Sequence, residues 1–210
     1  MRSSKPLGGS LAIHREVVRE AIFDSFAHLL CTRGYDTFTI ADVASAAGLS
    51  RTAMYTYFSH KDALVIGYAQ HLATKLSTSM RQALDGVRLA TGSEPDPVRE
   101  LCTYARHQAQ FCNEHRVPPG QLRQLMLSAV AFAGVREQLM TLEQMLHAIL
   151  EDGRRHGVMT IESVTSVLPL VMACIDRGCA GRASADHQTD PRVTEAFLLR
   201  ALGVEQAPGA

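Results

Sequence analysis

The chain has 210 residues, and its 21 Lys and Arg residues are balanced by 21 Asp and Glu residues, which gives a formal net charge of zero at pH 7. This balance excludes a strong polyanion-attracting field over the chain as a whole. The hydrophobic fraction of 46% excludes an intrinsically disordered chain. The length accommodates one moderate core, or a small module followed by a larger one.

Hydropathy and the number of cysteines indicate the cellular compartment in which the protein is expected. No apolar run reaches the roughly 18 residues that a membrane-spanning helix requires, and the first ten residues lack the apolar stretch of a signal peptide. The cysteines are five in number, at Cys31, Cys102, Cys112, Cys174 and Cys179. An odd number without a secretory signal is typical of free thiols in a reducing compartment. We therefore expect a cytoplasmic protein with no membrane partner.

The first predicted helix runs from Ala12 to Arg33, after a tail of residues 1–11 that is expected to be flexible. Its buried face has the spacing of an amphipathic helix and consists of Val18, Ala21, Ile22, Phe26 and Leu29. Gly34 is expected to end this helix.

A short second helix is predicted between Thr39 and Gly48. Its apolar residues fall at i, i+3, i+4 and i+7, namely Ile40, Val43, Ala44 and Ala47. Thr39 precedes this stripe and Asp42 follows three residues later, which is the arrangement of a capped helix start. Gly48 is expected to end the helix, because glycine tolerates the positive φ of a left-handed cap.

A third helix is predicted after Ser50, which is placed as its N-cap. The residues expected to pack inward are Ala53, Met54 and Phe58, and those expected to point outward are Arg51, Thr52, Tyr55 and Thr56. Two helices joined by a short turn containing glycine form the geometry that lets the second helix enter a DNA major groove. Helical hairpins that bind no nucleic acid use the same turn, so the spacing alone leaves both interpretations open.

The residues that follow carry a family resemblance. Tyr55-Thr56-Tyr57-Phe58, followed by the helix start Lys61-Asp62-Ala63-Leu64, completes a segment from Thr39 to Leu64 that resembles the N-terminal signature of the TetR family of bacterial transcriptional regulators. The match extends over residues 18–64. It implies an all-α fold with a three-helix helix-turn-helix DNA-binding domain at residues 12–58. A larger helical ligand-binding and dimerisation domain would follow at residues 59–204, before a flexible tail at residues 205–210. Tyr35 and Phe38 resemble the aromatic pair that packs beneath the helix-turn-helix in this family.

Roles in DNA binding follow from the side chains. We expect base edges to be contacted by Arg51, Thr52 and Tyr55, and phosphates to be anchored by Thr39, Ser50, Tyr57 and Lys61. Residues 1–70 are nearly balanced in charge, so affinity is expected to depend on paired half-sites more than on bulk electrostatics. Arg2 and Lys5 belong either to a minor-groove arm or to a disordered tail.

The remainder of the chain is predicted to be helical. A long helix is expected from Ser59 to about Leu84, followed by a loop at residues 86–97, which are rich in Gly, Ser and Pro. Further helices are predicted at residues 98–114, 120–133, 135–156, 161–179 and 191–202. Gly153 and Gly157 match the Gly-x-x-x-Gly end of one family helix. No segment alternates as a strand does.

The resemblance implies an effector site and a dimer interface in the larger domain. Candidate effector-binding residues are Tyr104, His107, Gln108, Phe111, Met126, Met140 and Met145, since methionine-rich linings suit adaptable apolar cavities. Candidate interface residues on the last two helices are Met172, Ala173, Ile175, Phe197, Leu198 and Ala201. An ordinary core or surface position also explains each effector candidate, and an internal core also explains the interface set.

Enzyme and metal signatures are absent from the sequence. It has no phosphate loop, nucleophile elbow or zinc-protease motif, and His107, Cys112 and His115 lack the further ligands of a zinc site. We expect no catalytic residue, no metal and no cofactor. The sequence predicts a homodimeric repressor whose partners are a double-stranded DNA operator, a second copy of itself and a small-molecule effector. The alternative is a helical protein-interaction module with a vestigial helix-turn-helix.

Overall fold

The computed structural model describes residues 7–92, 94–115, 129–180 and 190–204, and within them every regular element is a helix. This confirms the predicted all-α class. The α-helices are α1 Leu7–Arg33, α2 Ile40–Ala46, α3 Arg51–Tyr57, α4 Lys61–Thr91, α5 Pro97–Glu114, α6 Ala129–Arg155, α7 Val164–Ala180 and α8 Pro191–Ala201, with a 3-10 turn at Tyr35–Thr37 between α1 and α2. None of the helices in these ranges has the length and apolarity to cross a lipid bilayer.

The chain forms two compact units that divide between Tyr68 and Ala69. This boundary lies inside α4, whereas the sequence placed it after residue 58. The first two turns of α4 belong to the N-terminal unit because Val65 and Tyr68 are buried there. The Tyr68 ring centroid lies 5.7 Å from that of Phe23 and 5.2 Å from that of Phe26.

The core of the first unit is built around α1. Ile22, Phe26 and Leu29 are buried as predicted, while Val18 and Ala21 are half-buried. Helix α1 begins at Leu7, so residues 7–11, expected to be part of a flexible tail, are helical. An existing helix is extended at low cost, because each added residue gains a hydrogen bond without a new nucleus. Residues 1–6, with Arg2 and Lys5, lie outside the described residues, as do residues 205–210.

The core of the second unit is formed by α5, α6, α7 and α8 with the C-terminal part of α4. Its buried side chains include Met80, Leu84, Leu101, Tyr104, Leu146, Ile149, Leu150, Leu168, Ile175 and Leu198. Helix α5 starts close to the predicted residue because Pro97 occupies its first turn and Asp96 caps it, accepting a hydrogen bond from the Arg99 amide at 2.9 Å.

Two predicted breaks are wrong. Helix α4 continues to Thr91, through residues expected to form a loop, and ends before Gly92, which has a φ of 72°. Helix α6 passes through Gly134, where two helices were expected. A single glycine inside a helix costs only about 1 kcal/mol relative to alanine, which is less than the packing of neighbours such as the buried Val87 and Val135 supplies. Residues 120–128 of the predicted helix lie outside the described residues.

The C-terminal end of α6 explains both glycines of the Gly-x-x-x-Gly pattern. Gly157 adopts a φ of 68°, and the Val158 amide donates to the Gly153 carbonyl at 3.0 Å, which closes the helix with a left-handed cap. A Cβ on Gly153 would lie 2.7 Å from Cγ of Met159, so glycine is needed there for close packing. Helix α7 then begins at Val164, three residues later than predicted.

Candidate nucleic-acid interface

Helix α2 begins with a complete capping box. The Asp42 amide donates to Thr39 Oγ1 at 3.3 Å, and the Thr39 amide donates to Asp42 Oδ2 at 2.7 Å. The hydrogen bond from the Thr39 amide, and then the one from its hydroxyl, lower the pKa of the Asp42 carboxyl because they stabilise its charged form. The start of α2 is therefore fixed as predicted.

The turn between α2 and α3 is a Schellman motif. The Leu49 amide donates to the Ala44 carbonyl at 2.8 Å and the Gly48 amide to the Ser45 carbonyl at 3.1 Å. Gly48 has a φ of 69°, the conformation that only glycine adopts without strain. Ser50 then caps α3, its Oγ accepting from the Ala53 amide at 3.1 Å. The turn thus leads directly from one short helix into the next.

Helix α3 divides into a buried face and an exposed face. Met54 and the following Phe58 are buried, as predicted, and Ala53 is half-buried. The exposed face consists of Arg51, Thr52, Tyr55 and Thr56. The Thr56 hydroxyl donates to the Ala53 carbonyl at 2.7 Å, so its donor is used within the helix. Arg51, Thr52 and Tyr55 are left as the donor-bearing groups that α3 presents outward.

The four predicted phosphate anchors differ in burial and in the hydrogen bonds that their polar groups make within the protein. Thr39 and Ser50 are exposed, but their hydroxyl oxygens accept the cap hydrogen bonds of α2 and α3. Tyr57 is half-buried at the end of α3. Each cap therefore places its residue at a helix start, where phosphates commonly contact backbone amides.

Lys61 departs from its predicted role. Its Nζ donates to the carbonyl of Phe38 at 2.6 Å and also to the carbonyl of Tyr35. It lies 4.0 Å from the centroid of the Tyr35 ring and 4.2 Å from that of Phe38. Burial lowers the pKa of Lys61, and nearby carboxylates such as Asp36 oppose this shift. The ammonium is thus engaged inside the unit, whereas the sequence suggested a phosphate-facing group.

Tyr35 and Phe38 differ in burial. Phe38 is a core residue as expected, and its ring packs edge-on against that of Phe26 at 5.8 Å. Tyr35 is only half-buried, and its hydroxyl donates to Asp62 Oδ1 at 2.9 Å. Burial, followed by this hydrogen bond, raises the pKa of Tyr35 to about 12. Tyr35 therefore joins the 3-10 turn to the first turn of α4.

The predicted effector residues in the second unit are mostly engaged with that unit. The buried Tyr104 donates to the Leu142 carbonyl at 3.2 Å. The His107 ring lies 2.9 Å from Ser79 Oγ, and Gln108 donates to Asp176 at 3.0 Å. Burial lowers the pKa of His107, which favours a neutral ring at pH 7.

The other effector candidates differ in how deeply they are buried. Phe111 is buried, with its ring 4.2 Å from the His115 ring, and Met145 packs at the edge of the core. Met140 is exposed and lines an open depression of about 450 Å³ on α6 with Arg136, Glu137, Thr141 and Gln144. Met126 lies outside the described residues. The described candidates therefore lie on α5 and α6.

The predicted interface residues also separate into two groups. Ile175 and Leu198 are buried in the unit's own core, so the internal-core alternative accounts for them, and they are withdrawn as interface candidates. Ala173, Phe197 and Ala201 are exposed, and Met172 is half-buried. Sequence reasoning missed Leu170 and Val193, which are 66% and 58% exposed, beside Phe197 at 57%. The spacing i, i+4 of Val193 and Phe197 was the available signal.

Residues 22–67 match a family model described as bacterial regulatory proteins of the tetR family. These residues are therefore similar to the N-terminal helix-turn-helix domain of the tetR family. The matched residues include helices α2 and α3, the turn between them and the first two turns of α4 up to Gly67.

A curated relative matches the same region. The HTH-type transcriptional regulator AlkX of Mycobacterium tuberculosis is 38% identical over 71 residues, which are 34% of this chain and 34% of that relative. The alignment therefore spans about a third of the length of this curated relative.

Solved structures of bacterial transcriptional regulators resemble nearly the whole chain. PfmR of Thermus thermophilus, a TetR family regulator, has a TM-score of 0.70 at 21% identity, covering 89% of this chain and 99% of its own. FadR of Bacillus subtilis, solved in complex with stearoyl-CoA, has a TM-score of 0.70 at 18% identity, covering 87% and 96%. At these identities the likeness establishes the fold alone, in which a helix-turn-helix unit precedes a larger helical unit.

Proposed function

We propose that this protein is a homodimeric transcriptional repressor that binds an operator through α3 and releases it when a small molecule occupies the second unit. The observation that carries the proposal is the exposed face of α3, where Arg51, Thr52 and Tyr55 project from a helix whose opposite face is anchored by Met54. Arginine can donate two hydrogen bonds to guanine, and threonine and tyrosine add hydroxyls.

A dimer is supported by unpartnered apolar side chains on the last two helices. Leu170 on α7 and Val193 and Phe197 on α8 are large, apolar and exposed. Ala173 and Ala201, also exposed on these two helices, are small enough for close approach. Two copies of one reading helix, placed about one DNA turn apart, read a palindromic operator. Pairing of half-sites also compensates for the modest charge of each unit.

An effector is proposed for the second unit on the strength of its fold. FadR, which shares that fold, was crystallised with stearoyl-CoA, and an apolar ligand suits the methionine and aromatic side chains of α5 and α6. A ligand that reaches His107 or Gln108 must exchange their hydrogen bonds to Ser79 and Asp176 for its own. It releases the operator only if it prefers a conformation that binds DNA less well.

Operator binding by matched arginine variants tests the proposal. DNA selected in vitro from a random pool with the wild-type protein serves as the operator. We expect Arg51→Ala and Tyr55→Ala each to weaken operator binding by roughly tenfold or more, the loss typical of one base contact. Arg81→Ala, which removes another exposed arginine, on α4 in the second unit, is the control and should bind as the wild type does.

The alternative, a protein-interaction module with a vestigial helix-turn-helix, predicts a different result. In that case selection enriches no sequence, and no salt-sensitive shift of DNA appears. Selected DNA that binds both α3 variants as tightly as the wild type would instead show that another surface reads the operator.

A further inference from the structure

Two contacts fasten the helix-turn-helix to the first two turns of α4. The first is made by Lys61, whose ammonium donates to the carbonyls of Tyr35 and Phe38. These two carbonyls belong to the short segment that ends at Thr39, the N-cap of α2. The chain that enters α2 is thus held by the first residue of α4.

The second contact is made by Phe58, the residue that follows α3. A Cβ on Gly67 would lie 2.7 Å from Cε1 of Phe58, so the ring packs directly on the α4 backbone where glycine stands. The Phe58 ring also lies 5.7 Å from that of Phe23. The chain that leaves α3 is therefore held at Gly67, about 1.7 turns further along the same helix.

These contacts enclose the two short helices between them. Helices α2 and α3 have seven residues each, too few to keep their orientation without packing or end contacts. The residues before α2 and after α3 both lie against α4. Because binding groups need support that holds them within a fraction of an ångström, the placement of Arg51 and Tyr55 depends on α4.

We propose that Lys61 is a positioning residue that fixes α2 and α3 on α4, and that it does not contact phosphate. The proposal rests on the DNA-binding function proposed above. An ammonium has three donors, and two of them are used by the carbonyls of Tyr35 and Phe38. The faces of the same two aromatic rings attract the cation as well.

A phosphate contact by Lys61 would require the loss of its contacts inside the first unit. The ammonium would have to leave both carbonyls and both rings, and the segment before Thr39 would lose its attachment to α4. The lowered pKa of Lys61, caused by burial, agrees with a group withdrawn from solvent. The position of this cation in the first turn of α4, unfavourable for the helix dipole, is explained by these internal acceptors.

The test compares Lys61→Met with wild type in binding to selected operator DNA and to unrelated duplex DNA over a range of salt concentrations. Methionine keeps the apolar stem and removes the charge and both hydrogen bonds. We expect operator affinity to fall by roughly tenfold, as for the loss of one well-placed base contact. We expect affinity for unrelated DNA and the slope of log K against log salt to stay unchanged.

Gly67→Ala provides a second variant that changes no charge. It displaces the Phe58 ring and should give the same pattern, a loss of operator affinity at constant salt slope. Thermal unfolding of each variant identifies a temperature at which it is folded, and all binding is measured there. Lys75→Met, which removes an exposed lysine further along α4, is the matched control and should leave both affinities unchanged.

Two outcomes overturn the proposal. If Lys61→Met lowers the affinity for both DNAs by the same factor and reduces the slope of log K against log salt by about one per subunit, Lys61 is a phosphate contact. If the folded variants bind both DNAs as the wild type does, the two attachments contribute to stability alone. Failure of the DNA-binding proposal is separate, because the wild type would then select no sequence.

Discussion

Single residues at the ends of α2 and α3 set the geometry of the reading surface. Thr39 and Asp42 accept each other's backbone amides, and Ser50 Oγ accepts the Ala53 amide at the start of α3. Capping by a hydroxyl is worth about 1 kcal/mol at a helix start, a substantial contribution for helices of two turns. These residues were identified from the sequence, because a cap and its partner lie within three positions.

The capping carboxylate makes the stability of the first unit dependent on pH. The pKa of folded Asp42 lies below its ordinary value of about 3.9. Its contribution is therefore fully present above that value and is lost as the pH falls through the lowered pKa. We expect Asp42→Asn to lower the midpoint of thermal unfolding at pH 7, and the difference from wild type to shrink below about pH 4.

Asp24→Asn on the exposed side of α1 is the control for this measurement. This substitution removes a carboxylate that caps no helix, so the midpoint of thermal unfolding of the variant should equal that of the wild type at every pH. A difference for Asp42→Asn that stays constant down to the acid limit would contradict a role for the ionised carboxylate.

Lys61 shows why some residue roles could not be predicted from the sequence. Lys61 binds the carbonyl groups of residues 23 and 26 positions earlier in the chain. Backbone carbonyls carry no side-chain signature, and no helical periodicity links residues so far apart. The residue types indicated only a lysine at a helix start, which either a phosphate partner or exposure to solvent would explain.

At the scale of elements, the predicted helix ends were right at some glycines and wrong at others. Gly48 and Gly157 end helices at positive φ, as the prediction required. Gly86 and Gly134 lie inside helices and were wrongly assigned to a loop and a break. The sequence does not distinguish these cases, because the packing that sustains α4 and α6 through a glycine comes from residues distant in the chain.

The same substitution should have opposite effects at two of these glycines. Gly48→Ala encounters no atom within 4 Å but must adopt a φ of 69°, which costs about 1–2 kcal/mol for a residue with a Cβ. Gly86→Ala also has free space, within a regular helix, and should stabilise by about 0.5–1 kcal/mol. Denaturant unfolding measures both free energies.

Each variant serves as the control for the other, since both add a single methyl group at an uncrowded position. Gly48→Asn should recover part of the loss, because asparagine tolerates the left-handed conformation better than alanine does. Equal effects of the two alanine substitutions would contradict the assignment of Gly48 to a left-handed cap.

At the scale of the whole molecule, the proposed repressor depends on pairing between two copies. The candidates withdrawn from the interface, Ile175 and Leu198, share helices with the exposed Leu170 and Phe197. Periodicity identified the apolar helices but did not say which of two apolar faces would be covered by the chain itself. A helix with apolar residues on both sides is expected when one side meets a partner.

A charge on the exposed face should separate the copies. We expect Phe197→Glu, and independently Leu170→Glu, to convert a dimer to a monomer in sedimentation analysis, because an unpaired carboxylate is costly to bury. Operator affinity should fall by at least tenfold as the second half-site is lost. Leu89→Glu, at a residue that is 85% exposed on α4, is the control and should remain dimeric. Dimers that survive both substitutions would place the interface elsewhere.

The engagement of Lys61 leaves the first unit with an unusual surface chemistry. Lys61 is the one lysine in residues 7–68, and the exposed cations of that range are the guanidinium groups of Arg15, Arg33 and Arg51. Acylation neutralises lysine amines but does not remove the charge of arginine. Contacts between this part of the protein and the DNA backbone would therefore persist when lysines are acetylated, and their strength would not be adjusted by that modification.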